Sequence, residues 1–127
     1  MSTEAISQIG RFFSLLADEQ WDAAREMMSE RFVAFENGAF YAPDAFLHMI
    51  RSVFSTGARY RWYLTDFLVQ PRGDDIAIAY RNAAKIHLPD KCPEAKQWRE
   101  IVVLAHGTDG WKIDFLWSVP ANDTPGV

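Results

Sequence analysis

Cysteine is almost missing from this chain of 127 residues: Cys92 stands alone. A single thiol excludes an internal disulfide and a thiolate metal cluster. It sits in "LPDKCPEAK", flanked by prolines, and reads as an incidental loop thiol, because a catalytic one wants a histidine and an electropositive pocket. Positive charge is also in the minority, with 13 Lys and Arg against 17 Asp and Glu. The formal net charge of −4 gives no electrostatic footprint for nucleic acid or for an anionic membrane surface. The local cluster of Arg51, Arg59 and Arg61 reads as a solvated face. No apolar run approaches the roughly 20 residues of a membrane helix. The opening "MSTEAISQIG" has an acid and no basic segment ahead of an apolar core, so the expectation is a soluble, cytoplasmic protein without a secretory leader.

Other absences bear on chemistry. Glycine-rich phosphate loops, a serine nucleophile elbow and a dinucleotide signature are all missing. His48, His87 and His106 have no metal-ligand spacing. The expectation is no cofactor and no metal. A mechanism that needs only proton transfer is compatible with that.

What the chain has in quantity is apolar and aromatic surface: 49% hydrophobic residues, with five Trp, four Tyr and nine Phe. Length and composition suit one folded domain over residues 1–127 with a real core, and the polar, proline-containing end, residues 120–127, is expected to fray. Ile6, Ile9, Phe12, Phe13 and Leu16 recur at helical spacing behind a capping Ser2 or Thr3. "ADEQWDAAREMM" reads as a second short helix, capped by Asp18 and carrying Trp21, Ala24, Met27 and Met28 on one face. Phe32 to Phe35 suits a strand that turns at Asn37-Gly38. Pro43 and Asp44 start a third helix, whose apolar face is Phe46, Met49, Ile50, Val53 and Phe54, and Gly57 stops it.

Beyond Gly57 the period changes from 3.6 to 2. Four stretches alternate: "RYRWYLTDFLVQ", "IAIAYRNAAKIHL", "QWREIVVLAH" and "GWKIDFLWS". Helices followed by an antiparallel meander give an α+β domain with the helices on one face of the sheet. Strict alternation places Trp62, Leu64 and Leu68 opposite Tyr63, Phe67 and Val69. It places Trp111, Ile113, Phe115 and Trp117 opposite Lys112, Asp114 and Ser118. Ile101, Val103 and Ala105 likewise oppose Val102 and Leu104, so in this stretch and in "RYRWYLTDFLVQ" both faces of the sheet are apolar. Helices cover one, and the other is expected to meet a second copy in a homodimer.

This order of elements, with "FFSLLADEQWDAA", "FVAFENG" and "DGWKIDFLWS" in sequence, resembles the nuclear transport factor 2-like superfamily. That group includes ketosteroid isomerases and SnoaL-like polyketide cyclases. The resemblance spans about residues 5–119. It implies a strongly curved antiparallel sheet wrapped around the N-terminal helices as a cone with an internal pocket. It also implies that Glu100, Val102 and Leu104, and Ile113, Phe115 and Trp117, face into that cone. In the isomerases a carboxylate before a turn glycine acts as general base, and Glu36 in "FENG" stands at the similar place. The helical tyrosine of those enzymes is matched by Phe12, which cannot donate. Their protonated aspartate is matched near Val102, with Glu100 one step along the same face. A steroid isomerase is therefore not expected.

The resemblance and the residue types together name a candidate site. Glu36 is either a general base at the pocket edge or a solvated turn residue. Glu100, on an apolar strand, needs a partner or must take up a proton; the alternative is an ion pair with Arg81 or Lys85. Asp66 is a further candidate acid or base, and His48 can pair with Asp66 or Glu36. Trp62, Tyr80, Phe115 and Trp117 offer stacking surface, and Asn82 can orient a carbonyl. The expected ligand is a small apolar molecule, aromatic or polycyclic. The expected chemistry is isomerisation, cyclisation or dehydration by carboxylate-assisted proton transfer. The alternative is a non-catalytic ligand-binding or dimerisation module.

Overall fold

The computed structural model describes residues 2–121; the last part of the tail expected to fray lies outside them. Helix α1 spans Ser2–Ala17 and α2 spans Trp21–Glu26. Strand β1 is Met28–Glu36, β2 is Ala39–Tyr41, and α3 is Pro43–Phe54. The long strands follow: β3 Arg59–Arg72, β4 Asp75–His87, β5 Glu94–Gly107 and β6 Gly110–Pro120. They form one six-stranded sheet in the order β2-β1-β6-β5-β4-β3. All neighbours are antiparallel except β1 with β6, which run parallel. This one parallel pair makes the sheet mixed rather than purely antiparallel. It arises because α3 and the meander return the chain to β1 from the far side of the sheet.

Local chemistry explains most boundaries. Helix α1 buries Ala5, Ile9, Phe12, Phe13 and Leu16, the face that its 3.6-residue period predicts. It stops where Glu19 adopts a left-handed φ of 59° and the Gln20 N–H donates to the Leu15 carbonyl. Ser2 and Thr3 lie inside α1, so neither is the residue ahead of it. Asp18 does not cap α2; Gln20 occupies that position without a side-chain hydrogen bond. The short α2 ends before the two methionines, and Met28 already belongs to β1. Between β1 and β2, Asn37 (φ 53°) and Gly38 (φ 79°) make the tight two-residue turn that their types favour. Pro43 opens α3, where a missing N–H costs nothing.

Two β-bulges reset the alternation of the long strands. In β3 the register with β4 shifts between Thr65 and Leu68, and Asp66 takes a left-handed φ of 58°. Trp62 and Leu64 before the bulge therefore share the inner face with Phe67 and Val69 after it, while Tyr63 and Leu68 are exposed outside. In β6 the register with β5 jumps so that Leu104 pairs with Ile113 and Val103 with Phe115. Asp114 is the extra residue. Inward positions run Ile113, Leu116, Ser118, all buried. An extra residue turns every later side chain to the opposite face, and that overturns the strict period-2 reading of both strands.

The helices pack on the concave inner face. Ile78, Tyr80, Val102, Leu104, Ile113 and Leu116 from the sheet meet Phe12, Phe13 and Leu16 of α1 and Phe46, Leu47 and Ile50 of α3. The Asp114 bulge also ties β6 to β1. Its carboxylate accepts hydrogen bonds from Ser29 Oγ at 2.6 Å and Arg31 Nε at 2.9 Å. These donors outweigh partial burial and hold Asp114 below the usual carboxylate range.

Candidate functional site

Four adjacent strands each deliver a polar side chain to one row across the inner face. Glu100 on β5 is directly opposite Tyr80 on β4 and Ser118 on β6. On the other side of β6, Phe35 pairs with Trp117, so the next step along that ladder sets Glu36 beside Ser118. The row reads Glu36, Ser118, Glu100, Tyr80, with Asn82 two residues on from Tyr80 on the same face. Such a row needs every member at an inward position of its own strand. The Asp114 bulge is what turns Ser118 inward.

Glu100 is 5% exposed and has two hydrogen-bond donors. Asn82 Nδ2 donates to Oε1 at 3.1 Å, and Ser118 Oγ donates to Oε2 at 2.8 Å. Burial pushes its proton affinity up, and the groups from Tyr80, Ser118 and Asn82 pull it back. The Tyr80 hydroxyl is buried beside this carboxylate without closing a hydrogen bond of ordinary geometry, and Asn82 Oδ1 is also unpaired. Burial and the neighbouring Glu100 and Glu36 keep the Tyr80 hydroxyl protonated far into the alkaline range.

Glu36 stands at the pocket end of the row. Burial, then the charge of Glu100, raises it from 4.5 to about 7, with the Ser118 hydroxyl opposing the rise. Two carboxylates this close to an apolar cavity do not both ionise readily near neutrality. A proton on one member eases ionisation of the other, so one can donate while the other accepts.

Above the carboxylates lies a cavity of about 150 Å³. Phe13 of α1, Ile50, Val53 and Phe54 of α3, Tyr60 and Trp62 of β3, and Trp98 of β5 form its walls. Exposed Asn37 and Lys96 mark its mouth. The Phe54 ring lies nearly parallel to Trp62, at 16° and 6.3 Å, and to Tyr60, at 25° and 5.9 Å. The result is a flat aromatic wall over a floor of acids.

The sequence-derived candidates divide cleanly. Glu36, Glu100 and Trp62 come together around this cavity. Asn82 holds Glu100 from behind rather than lining the space, and Tyr80 stands with it there. Asp66 does not belong to the site. Its side chain is 72% exposed on the outer face and pairs with Arg81 at 3.6 Å, because its bulge position turns it away from the cone. That contact also takes Arg81 away from Glu100. Phe115 and Trp117 face outward for the same kind of reason, beyond the Asp114 bulge, where they register with Val103 and Ile101. His48 is exposed on α3 and reaches neither Asp66 nor Glu36. Among the described residues no group of three or more His, Cys, Asp or Glu side chains gathers as a metal site. No described helix is long and apolar enough to cross a membrane.

Ser118, Tyr60, Trp98, Phe13, Phe54 and Lys96 are among the site residues that pattern reading missed. Trp98 was within reach, since it lies two residues from Glu100 on the same strand. Tyr60 likewise shares a face with Trp62. Ser118 was not, because strict alternation places it outside.

The chain was compared with known proteins. No protein-family model matches it, and no curated protein matches it either. Solved structures do. ActVI-ORFA from Streptomyces coelicolor superposes with a TM-score of 0.82 over 98% of this chain and 97% of its own, at 14% identity. The beta subunit of the benzoate 1,2-dioxygenase from Burkholderia mallei gives 0.80 over 95% and 91%, at 13% identity. A protein from Novosphingobium aromaticivorans, described as nuclear transport factor 2-like with a cystatin-like fold, gives 0.76 over 94% and 80%, at 14% identity. The chain has the nuclear transport factor 2-like fold. At these identities the likeness concerns architecture: a curved sheet around helices, with an internal pocket. This fold hosts different activities, so its work in this chain must be read from the pocket.

Proposed function

We propose that the domain binds a small, flat, apolar molecule of about one ring and moves a proton on it, with Glu36 as the acid/base and Glu100 as its buried partner. The observation that carries this is the pair of carboxylates at the base of one aromatic-walled cavity. About 150 Å³ is the size of an apolar cavity that admits a benzene-sized guest, which favours a single ring over the polycyclic ligand that sequence reasoning also allowed. The Phe54 ring, near-parallel to both Tyr60 and Trp62, gives with them aromatic surface that suits a planar ligand. Lys96 at the mouth suits an electron-rich substituent on the outer end of the ligand. The reaction class is isomerisation, cyclisation or dehydration, each of which needs a proton taken from one atom and given to another. The exposed lone thiol of Cys92 suits a reducing compartment such as the cytoplasm.

The test uses a one-ring ketone, 2-cyclohexen-1-one, in deuterated water. NMR follows exchange of its acidic carbon-bound protons. Wild type is expected to accelerate exchange, and Glu36→Gln and Glu100→Gln to lower that rate at least about tenfold while circular dichroism stays unchanged. Equal rates in all three folded proteins sink the acid/base reading.

A second reading rests on the outer sheet face. Phe40, Phe35, Trp117, Ile101, Ala79 and Leu68 are cross-strand neighbours in one line over the whole sheet. Phe40 is 71% exposed and Leu68 69%. A continuous apolar row of this kind supports a homodimer through the sheet, with or without chemistry in the cone. Phe67 is not part of this surface, since it faces the core beside Tyr80. Light scattering on wild type and on Leu68→Lys tests the interface: a dimer that becomes monomeric supports it, and a monomeric wild type removes it.

A further inference from the structure

Ser118 is 1% exposed and lies between two carboxylates. Its hydroxyl donates to Glu100 Oε2 at 2.8 Å, and the β1–β6 register brings Glu36 next to it, one step beyond the Phe35–Trp117 pair. A serine hydroxyl has one proton to give and lone pairs to accept with. While that proton points at Glu100, Ser118 can only accept from Glu36. We propose that Ser118 is a proton relay that joins Glu36 and Glu100 into a single acid/base unit, a role that deepens the acid/base reading of the cavity and rests on it.

The transfer balances without any other reactant. The Glu36 carboxyl O–H bond breaks and its proton bonds to Ser118 Oγ. The original Ser118 O–H bond breaks and that proton bonds to Glu100 Oε2. Glu36 ends as a carboxylate, Glu100 as a carboxylic acid, and the net charge of the pair stays at one negative. In the first state Glu36 is poised to donate to a bound molecule. In the second it is poised to accept from one. Glu100 thereby holds a proton in reserve at the base of the cavity, and Asn82 Nδ2 supports its anionic state through Oε1.

The charged and titratable neighbours are few. Tyr80 faces Glu100 from β4, Tyr60 senses Glu36 from β3, and Lys96 stands at the mouth on β5. From the helices, α1 and α3 present only apolar side chains to the cavity. The opposing effect of Ser118 on both Glu36 and Glu100 accords with a hydroxyl shared between them.

Carbon-13 NMR of the glutamate carboxyls in the ligand-free protein tests the relay independently of any turnover. Ser118→Thr keeps the hydroxyl, and Ser118→Val has the shape of threonine without it. In wild type and Ser118→Thr, Glu36 and Glu100 are expected to titrate as a coupled pair, each sensing the other's proton. In Ser118→Val the shared hydroxyl is lost, and the midpoints of Glu36 and Glu100 are both expected to move, that of Glu36 by about one pH unit, a tenfold change in proton affinity. If the valine variant does not fold, Ser118→Ala replaces it with the same expectation. A Glu36 titration identical in the threonine and hydroxyl-free variants overturns the relay, as does a shift confined to Glu100. Should the titrations shift as expected while cyclohexenone exchange is absent, the relay stands and the catalytic reading of the cavity fails.

Discussion

Replacing Glu36 by glutamine removes a carboxyl whose proton the folded protein holds more tightly than the unfolded chain does. Its midpoint lies at about 7, against an ordinary 4.5. Below 4.5 both states carry the proton, and the group has no differential effect. Between 4.5 and about 7 the unfolded chain has released its proton while the folded protein retains it, so the unfolding free energy falls as pH rises. Above that window both states are ionised and the whole cost of a buried charge beside Glu100 stands. At about 1.4 kcal/mol per pH unit, the window amounts to about 3 kcal/mol. Water at the pocket mouth screens part of it, leaving about 2 to 3 kcal/mol. Glutamine matches the shape and never ionises. Urea unfolding at pH 5 and pH 8 measures the difference, provided the slope with denaturant is the same for both proteins. Wild type is expected to lose about 2 to 3 kcal/mol more than Glu36→Gln between the two pH values, and the variant to be the more stable at pH 8. Glu100 contributes a slope of the same sign to both. Removing its charged neighbour eases its ionisation, which widens the gap further. Parallel stability curves for the two proteins would show that Glu36 is an ordinary solvated turn residue, and the reasoning about the cavity would fail with it.

Three further outcomes follow from the same contacts. Asp114→Ala takes away the acceptor for Ser29 and Arg31 at the bulge and is expected to cost about 1 to 3 kcal/mol in urea unfolding; because the folded protein holds Asp114 below the usual carboxylate range, that loss should shrink as wild type is taken to acid pH, and a loss that is the same at pH 3 and pH 7 refutes the assignment. Trp62→Leu removes the ring that lies parallel to Phe54 and is expected to weaken binding of a one-ring ligand such as phenol about three- to tenfold by calorimetry, whereas unchanged affinity places the ligand elsewhere. Phenol is expected to quench tryptophan fluorescence saturably and 2-naphthol to fail, since the cavity is about 150 Å³; saturable naphthol binding at the same site refutes the size limit.

The helices, the Asn37-Gly38 turn and the four-strand meander were readable because each is written locally. Amphipathic spacing fixed which face of α1 and α3 is buried, and the turn residues have the left-handed φ values that their types allow. The carboxylates were readable because charge on an otherwise apolar strand is costly unless it is used or paired. Glu36 and Glu100 both stand in that position. What pattern reading could not see is where a strand gains one residue. Asp66 and Asp114 are polar residues in the middle of alternating runs, and each was taken as one more outward or inward position. At Asp66 the bulge moved a proposed acid outside. At Asp114 it moved Phe115 and Trp117 outside and Ser118 in. A bulge depends on the register of two strands, so one strand's own pattern does not reveal it.

The two bulges do more than correct a face assignment. Were Asp114 paired as an ordinary strand residue instead of bulged out of the ladder, Phe115 and Trp117 would enter the cone. Two large aromatic side chains would then occupy the space above Glu36, and Ser118 would face away from both carboxylates. The bulge thus clears the cavity and completes the polar row in one step. It also sends Trp117 to the outer face, where it joins Phe35 and Ile101 in the apolar line across the sheet. Asp114 is fixed in place by Ser29 and Arg31 of the parallel neighbour β1, the strand that carries Glu36. The residue that sets the register of the last strand is therefore held by the strand that supplies the acid. Loosening that clamp should disturb the pocket and the outer face together, and a change at only one of them would separate the two roles.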